Sequence, residues 1–228
     1  MSAHDKIQKD SFSRFLLDWF ESNKRVFPWR EAQLPYEIAV AEAMLQKTAA
    51  INVISSYRAF LKRYPTVEAL AASNLEDIQE VWRPLGLPRR ARLLRDLARQ
   101  VVTEYGGQFP LSEIELQRLP GIGAYGAAAI ACLTLDQQAP MIDINVMRVF
   151  HRVFSVPFKP RNKPDRKLRE LALSLMPAGQ EKSFNLALLD LGALICRPRK
   201  PKCGVCPLRG ICDYNRDHSR YDPLPNES

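Results

Sequence analysis

Cys196, Cys203, Cys206 and Cys212 lie within 17 residues, separated by six, two and five positions. Thiols clustered in this way read as a metal or cluster site, because an intracellular chain rarely keeps disulfides. Both zinc and a [4Fe-4S] cluster accept four thiolates. Zinc usually draws on two C-x2-C knuckles, and here only Cys203–Cys206 forms one, so spacing leaves both open. The same loop is dense in cations: Arg197, Arg199, Lys200, Lys202 and Arg209. A fifth thiol, Cys132, stands alone in an apolar run and reads as a packed small hydrophobe.

Two carboxylates stand where acid–base chemistry is possible. Asp143 directly precedes a helical pattern of Val146, Val149, Phe150, Val153 and Phe154. Asp is a favoured N-cap, and capping alone would explain it there. The helix dipole also favours a negative charge at that point and the cap fixes its direction, which suits an acid that faces developing positive charge or orients a water. Glu42 falls at the border of an apolar helix face in EIAVAEAMLQKTAA (37–50), with Gln46 one turn further on. A carboxyl at that border is partly desolvated and can serve as a general acid; a surface Glu paired with Lys47 is the plain alternative.

A third motif could hold an anion rather than transfer a proton. In LSEIELQRLPGIGAYGAAAIACLTL (111–135), Ser112 can cap a short helix, Leu119 to Gly123 makes a tight turn, and Ala124 to Leu135 makes a second helix. Glycines two apart at a helix start can expose consecutive N–H groups to a phosphate, and their missing side chains let a DNA backbone approach. This reads as a helix-hairpin-helix that grips the DNA backbone and carries no sequence specificity; a plain helix corner is the alternative.

The elements that must position these groups are helical. Apolar residues repeat with a period near 3.6 over 11–22, 51–61, 91–102 and 165–176, and alternation of period two is absent. Pro and Gly breakers separate the stretches, among them FPWR (27–30), Arg83-Pro84, Gly106-Gly107 and Leu119-Pro120-Gly121. An all-α protein of roughly ten short helices is expected, with SVPFKPRNKP (155–164) as a linker and a poorly ordered end to the tail after Cys212. The 228 residues, 46% of them hydrophobic, are enough for a large core. No apolar run reaches the ~18 residues of a membrane span, and the charged N-terminus lacks a signal peptide's apolar stretch. The expectation is therefore an intracellular protein, in the cytoplasm or at the nucleoid. Lys and Arg exceed Asp and Glu by 33 to 25, a net charge of +8, which makes nucleic acid a natural partner.

Taken in order, FPWR…PY (27–36), EAMLQKT, LPGIGAY, Asp143-x-Asn145 with Arg148-Val149, FNLALLDLGALIC and C-x6-C-x2-C-x5-C resemble the helix-hairpin-helix DNA glycosylases that carry an iron–sulfur cluster. These include endonuclease III, the adenine DNA glycosylases and the thymine–guanine mismatch glycosylases. The resemblance runs from about Phe12 to Cys212. It implies two helical domains flanking a DNA-binding groove: a six-helix domain over 28–134 with the hairpin at about 112–134, and a cluster domain of 1–27 plus 135–228 with the loop at 196–212. It implies that Cys196, Cys203, Cys206 and Cys212 hold a structural [4Fe-4S] cluster, that Asp143 is the catalytic carboxylate, and that the protein is a monomer acting on double-stranded DNA with a mismatched or damaged base.

One position departs from the bifunctional relatives. They place a Schiff-base lysine in the second hairpin helix, where this chain has Tyr125. With no amine to attack the sugar, the expectation is a monofunctional glycosylase using water, with Tyr125 against the flipped base. Adenine glycosylases show Tyr-Tyr after Leu-Gly, where this chain has Leu87-Pro88, and Gly-Asn after the catalytic Asp, where it has Ile144-Asn145. They also append a C-terminal domain that reads oxidised guanine, whereas 16 residues follow Cys212 here. LARQVVTEYGGQFP and PRKPKC look closer to the thymine–guanine type, while Glu42-Ala-Met-Leu-Gln46 resembles the adenine enzymes' EVMLQQT helix. The resemblance thus favours thymine or uracil opposite guanine in base excision repair. The alternatives are adenine opposite guanine or 8-oxoguanine, and a non-catalytic DNA-binding module. On the favoured reading Gln46 and Leu87 fill the hole left by the flipped base. Phosphates meet the amides of Gly121, Gly123 and Tyr125 and the loop cations Arg197, Arg199, Lys200 and Lys202.

Overall fold

The helical periods become twelve α-helices and four short 3-10 turns, with no strand, among residues 3–157 and 166–217, which a computed structural model describes. After α1 (Ala3–Asn23) come α2 (Pro35–Leu45), α3 (Ala50–Arg63), α4 (Val67–Ala72), α5 (Leu75–Trp82), α6 (Pro88–Tyr105), α7 (Glu113–Leu116) and α8 (Ala124–Thr134). The chain ends with α9 (Ile144–Phe154), α10 (Arg166–Leu175), α11 (Glu181–Leu194) and α12 (Asp213–Arg216). It divides into two units, one of residues 26–137 and one of residues 1–25 with 138–228. Most of the expected linker (158–164 of 155–164) and the end of the tail (218–228) lie outside the described residues. The part of the tail directly after Cys212 forms α12.

In the unit of residues 26–137, α2 is the central element. Tyr36, Ile38, Ala39, Val40, Ala41 and Met44 are all buried, so the helix is covered on more than one face. Alanine-rich α8 packs against it, and its small side chains (Ala127, Ala128, Ala129, Ala131) allow close approach. Helix α6 lies against α4 and α5. Starts are capped where the sequence supplies an oxygen: Thr66, Asn74 and Ser112 accept the amides of Ala69, Asp77 and Glu115 at 3.2, 2.8 and 3.2 Å.

In the other unit the core forms around Phe12. Its ring lies 5.0 Å from Phe154, 6.0 Å from Phe150 and 6.3 Å from Phe184, joining α1, α9 and α11. Burial of such a ring contributes about 1.5–3 kcal/mol. Buried polar groups set the ends of these helices. Gln8 donates to the carbonyls of Val153 and Ile211 at 2.6 and 2.8 Å, tying α1 to the end of α9 and to the cysteine loop. Asn185 accepts the Met141 amide at 2.7 Å and donates to Ala139 at 3.1 Å, which pins the extended segment leading to Asp143.

Candidate functional site

The hairpin of residues 112–134 forms within the unit 26–137. Helix α7 is one turn long, and its cap Ser112 also donates to the Glu115 carboxylate at 2.7 Å. The Ile122 amide closes the turn onto Leu119 at 3.1 Å. Gly121 is required twice: its φ is +81°, and a Cβ would lie 3.3 Å from that of Leu93 on α6. Gly123 is different. Its φ of −93° suits any residue and a Cβ would meet nothing within 4 Å, yet it is the N-cap of α8 and supplies no capping side chain. The first turn of α8 therefore faces outward without an internal cap. Tyr125 sits half-buried in that turn, and α8 ends at Thr134, one residue before the expected end.

Glu42 is half-buried on α2, as expected at the border of the apolar face. Gln46 is not one helical turn further on, because α2 ends at Leu45 and Lys47 adopts φ +56°. The break has a tertiary cause. The buried Arg90 guanidinium donates to the carbonyls of Ala43, Met44 and Gln46 at 3.1, 3.0 and 2.5 Å, so it takes up the helix's last carbonyls. Gln46 is exposed at this turn. Leu87 is 51% exposed with φ +52°, at the start of α6.

Asp143 belongs to the other unit, and there it caps α9. One carboxylate oxygen accepts the Val146 amide at 2.8 Å and the other accepts the Asn145 side-chain amide at 2.6 Å. The contact continues inward. Arg148, fully buried, donates to Asn145 at 2.8 Å, to the Gly192 carbonyl at 3.0 Å and to the Cys196 carbonyl at 2.8 Å. Helix α11 comes close enough for this because residue 192 is glycine: a Cβ there would lie 2.9 Å from the Asn145 Cβ. A continuous hydrogen-bonded chain thus runs from the Asp143 carboxylate to the backbone of Cys196. Asn145 and Arg148 appear in the sequence only as parts of a motif. The available signal was a pair of arginines, Arg148 and Arg152, spaced i,i+4 beside the apolar stripe of α9.

The four cysteines of the loop are half-buried. Burial pushes the Cys206 thiol up to about 12 and Cys212 to about 11, and charge on neighbouring thiols adds to both rises. Cys203 is also raised by burial and by Cys196, with Arg152 and Arg209 acting against the rise. The thiols therefore share one electrostatic patch, and holding them as thiolates requires strong positive charge among them. Among the described residues no three His, Cys, Asp or Glu side chains meet as a site for a single metal ion. Arg152 shapes the loop, donating to Cys196 Sγ at 3.4 Å and to the carbonyls of Arg197 and Pro198 at 2.7 and 2.9 Å. Arg197, Arg199, Lys200, Lys202 and Arg209 are all exposed on it.

Residues 196–212, bounded by the first and last of these cysteines, match the iron–sulfur binding domain of endonuclease III, which resolves the choice left open by spacing in favour of a [4Fe-4S] cluster. The chain is 37% identical over 213 residues to the thymine/uracil-DNA glycosylase of Methanothermobacter thermautotrophicus, covering 93% of this chain and 96% of that one. It is also 37% identical over 220 residues to the adenine DNA glycosylase of Rattus norvegicus, covering 92% of this chain but 42% of the relative. A solved thermostable thymine-DNA glycosylase superposes with a TM-score of 0.89 at 36% identity, over 94% of this chain and 99% of that one. Residues 40–177, well over half the chain, match the HhH-GPD family, and the protein belongs to this superfamily of base excision DNA repair proteins.

Proposed function

We propose that the protein is a monofunctional DNA glycosylase that hydrolyses the N-glycosidic bond of thymine or uracil opposite guanine, working inside the cell as a monomer on double-stranded DNA. The observation that carries the reading is Asp143, a carboxylate held at a helix N-terminus by two donors at 2.6 and 2.8 Å, in a chain whose similarity to thymine/uracil glycosylases spans nearly its whole length. The target nucleotide leaves the stack, at least cost in a mismatch. As the bond from C1′ to the base breaks, its electron pair leaves with the base and positive charge builds on the sugar. The Asp143 carboxylate stabilises that charge and takes a proton from the attacking water as its oxygen bonds to C1′. The departing base takes up a proton, and Glu42 is the assigned donor. Tyr125 stands against the extruded base and supplies no amine, so no covalent link to the sugar forms.

Gln46 and Leu87 occupy the space the base vacates. The first-turn amides of α8, with Gly121 and Gly123 bare beside them, and the loop cations Arg197, Arg199, Lys200 and Lys202 meet phosphates. Cys196, Cys203, Cys206 and Cys212 hold the cluster. When bound, it supplies the cationic centre that keeps these thiols as thiolates and the loop in place.

The test uses end-labelled duplexes with one T:G, U:G, A:G or A:8-oxoguanine pair, each split between heated alkali and neutral buffer. Cleavage at T:G and U:G that appears only after alkali is the expected result. Adenine excision is the second reading, favoured by the 37% identity to the rat enzyme and by Glu42-Ala-Met-Leu-Gln46; cleavage confined to the adenine strands would establish it instead. Cleavage without alkali would show lyase activity and overturn the monofunctional assignment.

A further inference from the structure

Two exposed turns within the unit of residues 26–137 carry unusual backbone. Gln46 is followed by Lys47 at φ +56°, and Leu87 sits at φ +52°, ψ +69° after Gly86 at φ +66°. Left-handed conformations of side-chain-bearing residues are strained, and they persist where the surroundings hold them. A single side chain does so here. One terminal nitrogen of Arg90 donates to the carbonyls of Ala43, Met44 and Gln46, and the other donates to those of Leu85 and Gly86 at 2.9 and 3.3 Å. The Arg90 backbone amide also bonds the Leu87 carbonyl at 3.0 Å. Its guanidinium carbon lies 5.8 Å from the centroid of the buried Trp82 ring, and the residue is only 6% exposed. The fork therefore spans two turns about forty residues apart in the chain, and its planar geometry fixes them relative to each other.

We propose that Arg90 is a positioning residue that locks the Gln46 turn and the Leu87 turn into one rigid probe, so that both side chains enter the duplex together when the base leaves. The inference rests on the reading above, in which these two residues fill the vacated space. Arg90 itself touches no DNA on this account. It converts two separately costly insertions into one, because neither turn needs to be ordered at the moment of opening.

The test uses the full-length, iron-loaded protein and two substrates with thymine opposite guanine, one with fully paired flanks and one with the thymine in a small unpaired loop. Arg90→Lys keeps the charge but cannot span five carbonyls. Single-turnover release from the paired substrate should fall about tenfold or more, against less than about threefold from the loop, where little stacking is left to break. The same variant should lose the fluorescence rise of 2-aminopurine placed at the target. Equal slowing on both substrates, or none on either, overturns the proposal, since a merely structural role does not distinguish them.

Gly86→Ala supplies an independent arm that leaves Arg90 intact. Its Cβ would meet nothing within 4 Å, but the backbone conformation is strained for alanine, which pulls the carbonyls of this turn away from the fork. The penalty of Gln46→Ala should shrink by about threefold or more in that background; an unchanged penalty overturns the coupling. If Arg90→Lys does not fold, this cycle decides alone. A parent protein that opens the duplex but releases neither thymine nor uracil overturns the assigned activity, and the fluorescence comparison then decides on Arg90. A parent that does neither overturns both.

Discussion

Helices α8 and α9 begin in opposite ways. Each presents the positive end of a helix dipole. At α9 the chain supplies its own anion, and the Asp143 carboxylate occupies the first turn at 2.8 Å from the Val146 amide. At α8 the corresponding residue is Gly123, which supplies no capping side chain, although its backbone and surroundings would accept one. Relative to glycine an N-cap oxygen is worth a few tenths of a kcal/mol, so its omission at α8 leaves that stability unused. On the proposed function, the contrast is what two tasks require. A helix start that meets an external phosphate must leave its amides available, whereas one that aims a carboxylate must hold it inside.

The comparison can be broken most severely at Asp143. Asp143→Asn and Asp143→Ser both keep an N-cap oxygen, so melting temperature should move little, while base release falls on the order of a thousandfold and duplex binding persists. Single-turnover rates beside thermal melts check this, and a variant that still turns over rapidly leaves Asp143 as a cap alone. Next in size is Arg148→Lys, which cannot serve Asn145, Gly192 and Cys196 at once. It should cost about 2 kcal/mol in urea unfolding and slow base release, with iron retained less firmly on dialysis.

Gly123→Asp would make α8 resemble α9. The unfolding free energy from denaturant titration should rise by a few tenths of a kcal/mol while affinity for duplex drops about tenfold, because the new carboxylate takes the amides and repels phosphate. Stability and binding moving together would contradict the division of labour. Smallest is Ser112→Ala, which removes the cap bond to the Glu115 amide. It should cost about 1 kcal/mol, seen as faster amide exchange in α7, with base release nearly intact.

Much of this molecule is local, and local features were readable. The period of Phe12, Leu16 and Phe20 marks the buried face of α1, and the sequence around Leu119 to Gly123 encodes a turn that only glycine at 121 completes. Asp143 and Ser112 cap because their acceptor oxygens lie three residues from the amides they serve. The cysteine spacing pointed to a shared site without choosing its occupant.

Other features depend on partners far along the chain. The end of α2 at Leu45 is set by Arg90, 44 to 47 residues from the carbonyls it bonds. The path from Asp143 to Cys196 depends on Arg148, 48 residues from its last acceptor, and on Gly192 letting two helices close. By itself the sequence determined the helices, their caps and the clustered thiols, since each follows from side-chain spacing over a few residues. Only the tertiary structure decided where α2 stops, which turns share a guanidinium and how the carboxylate is braced, because a buried arginine chooses its acceptors by proximity in space rather than along the chain.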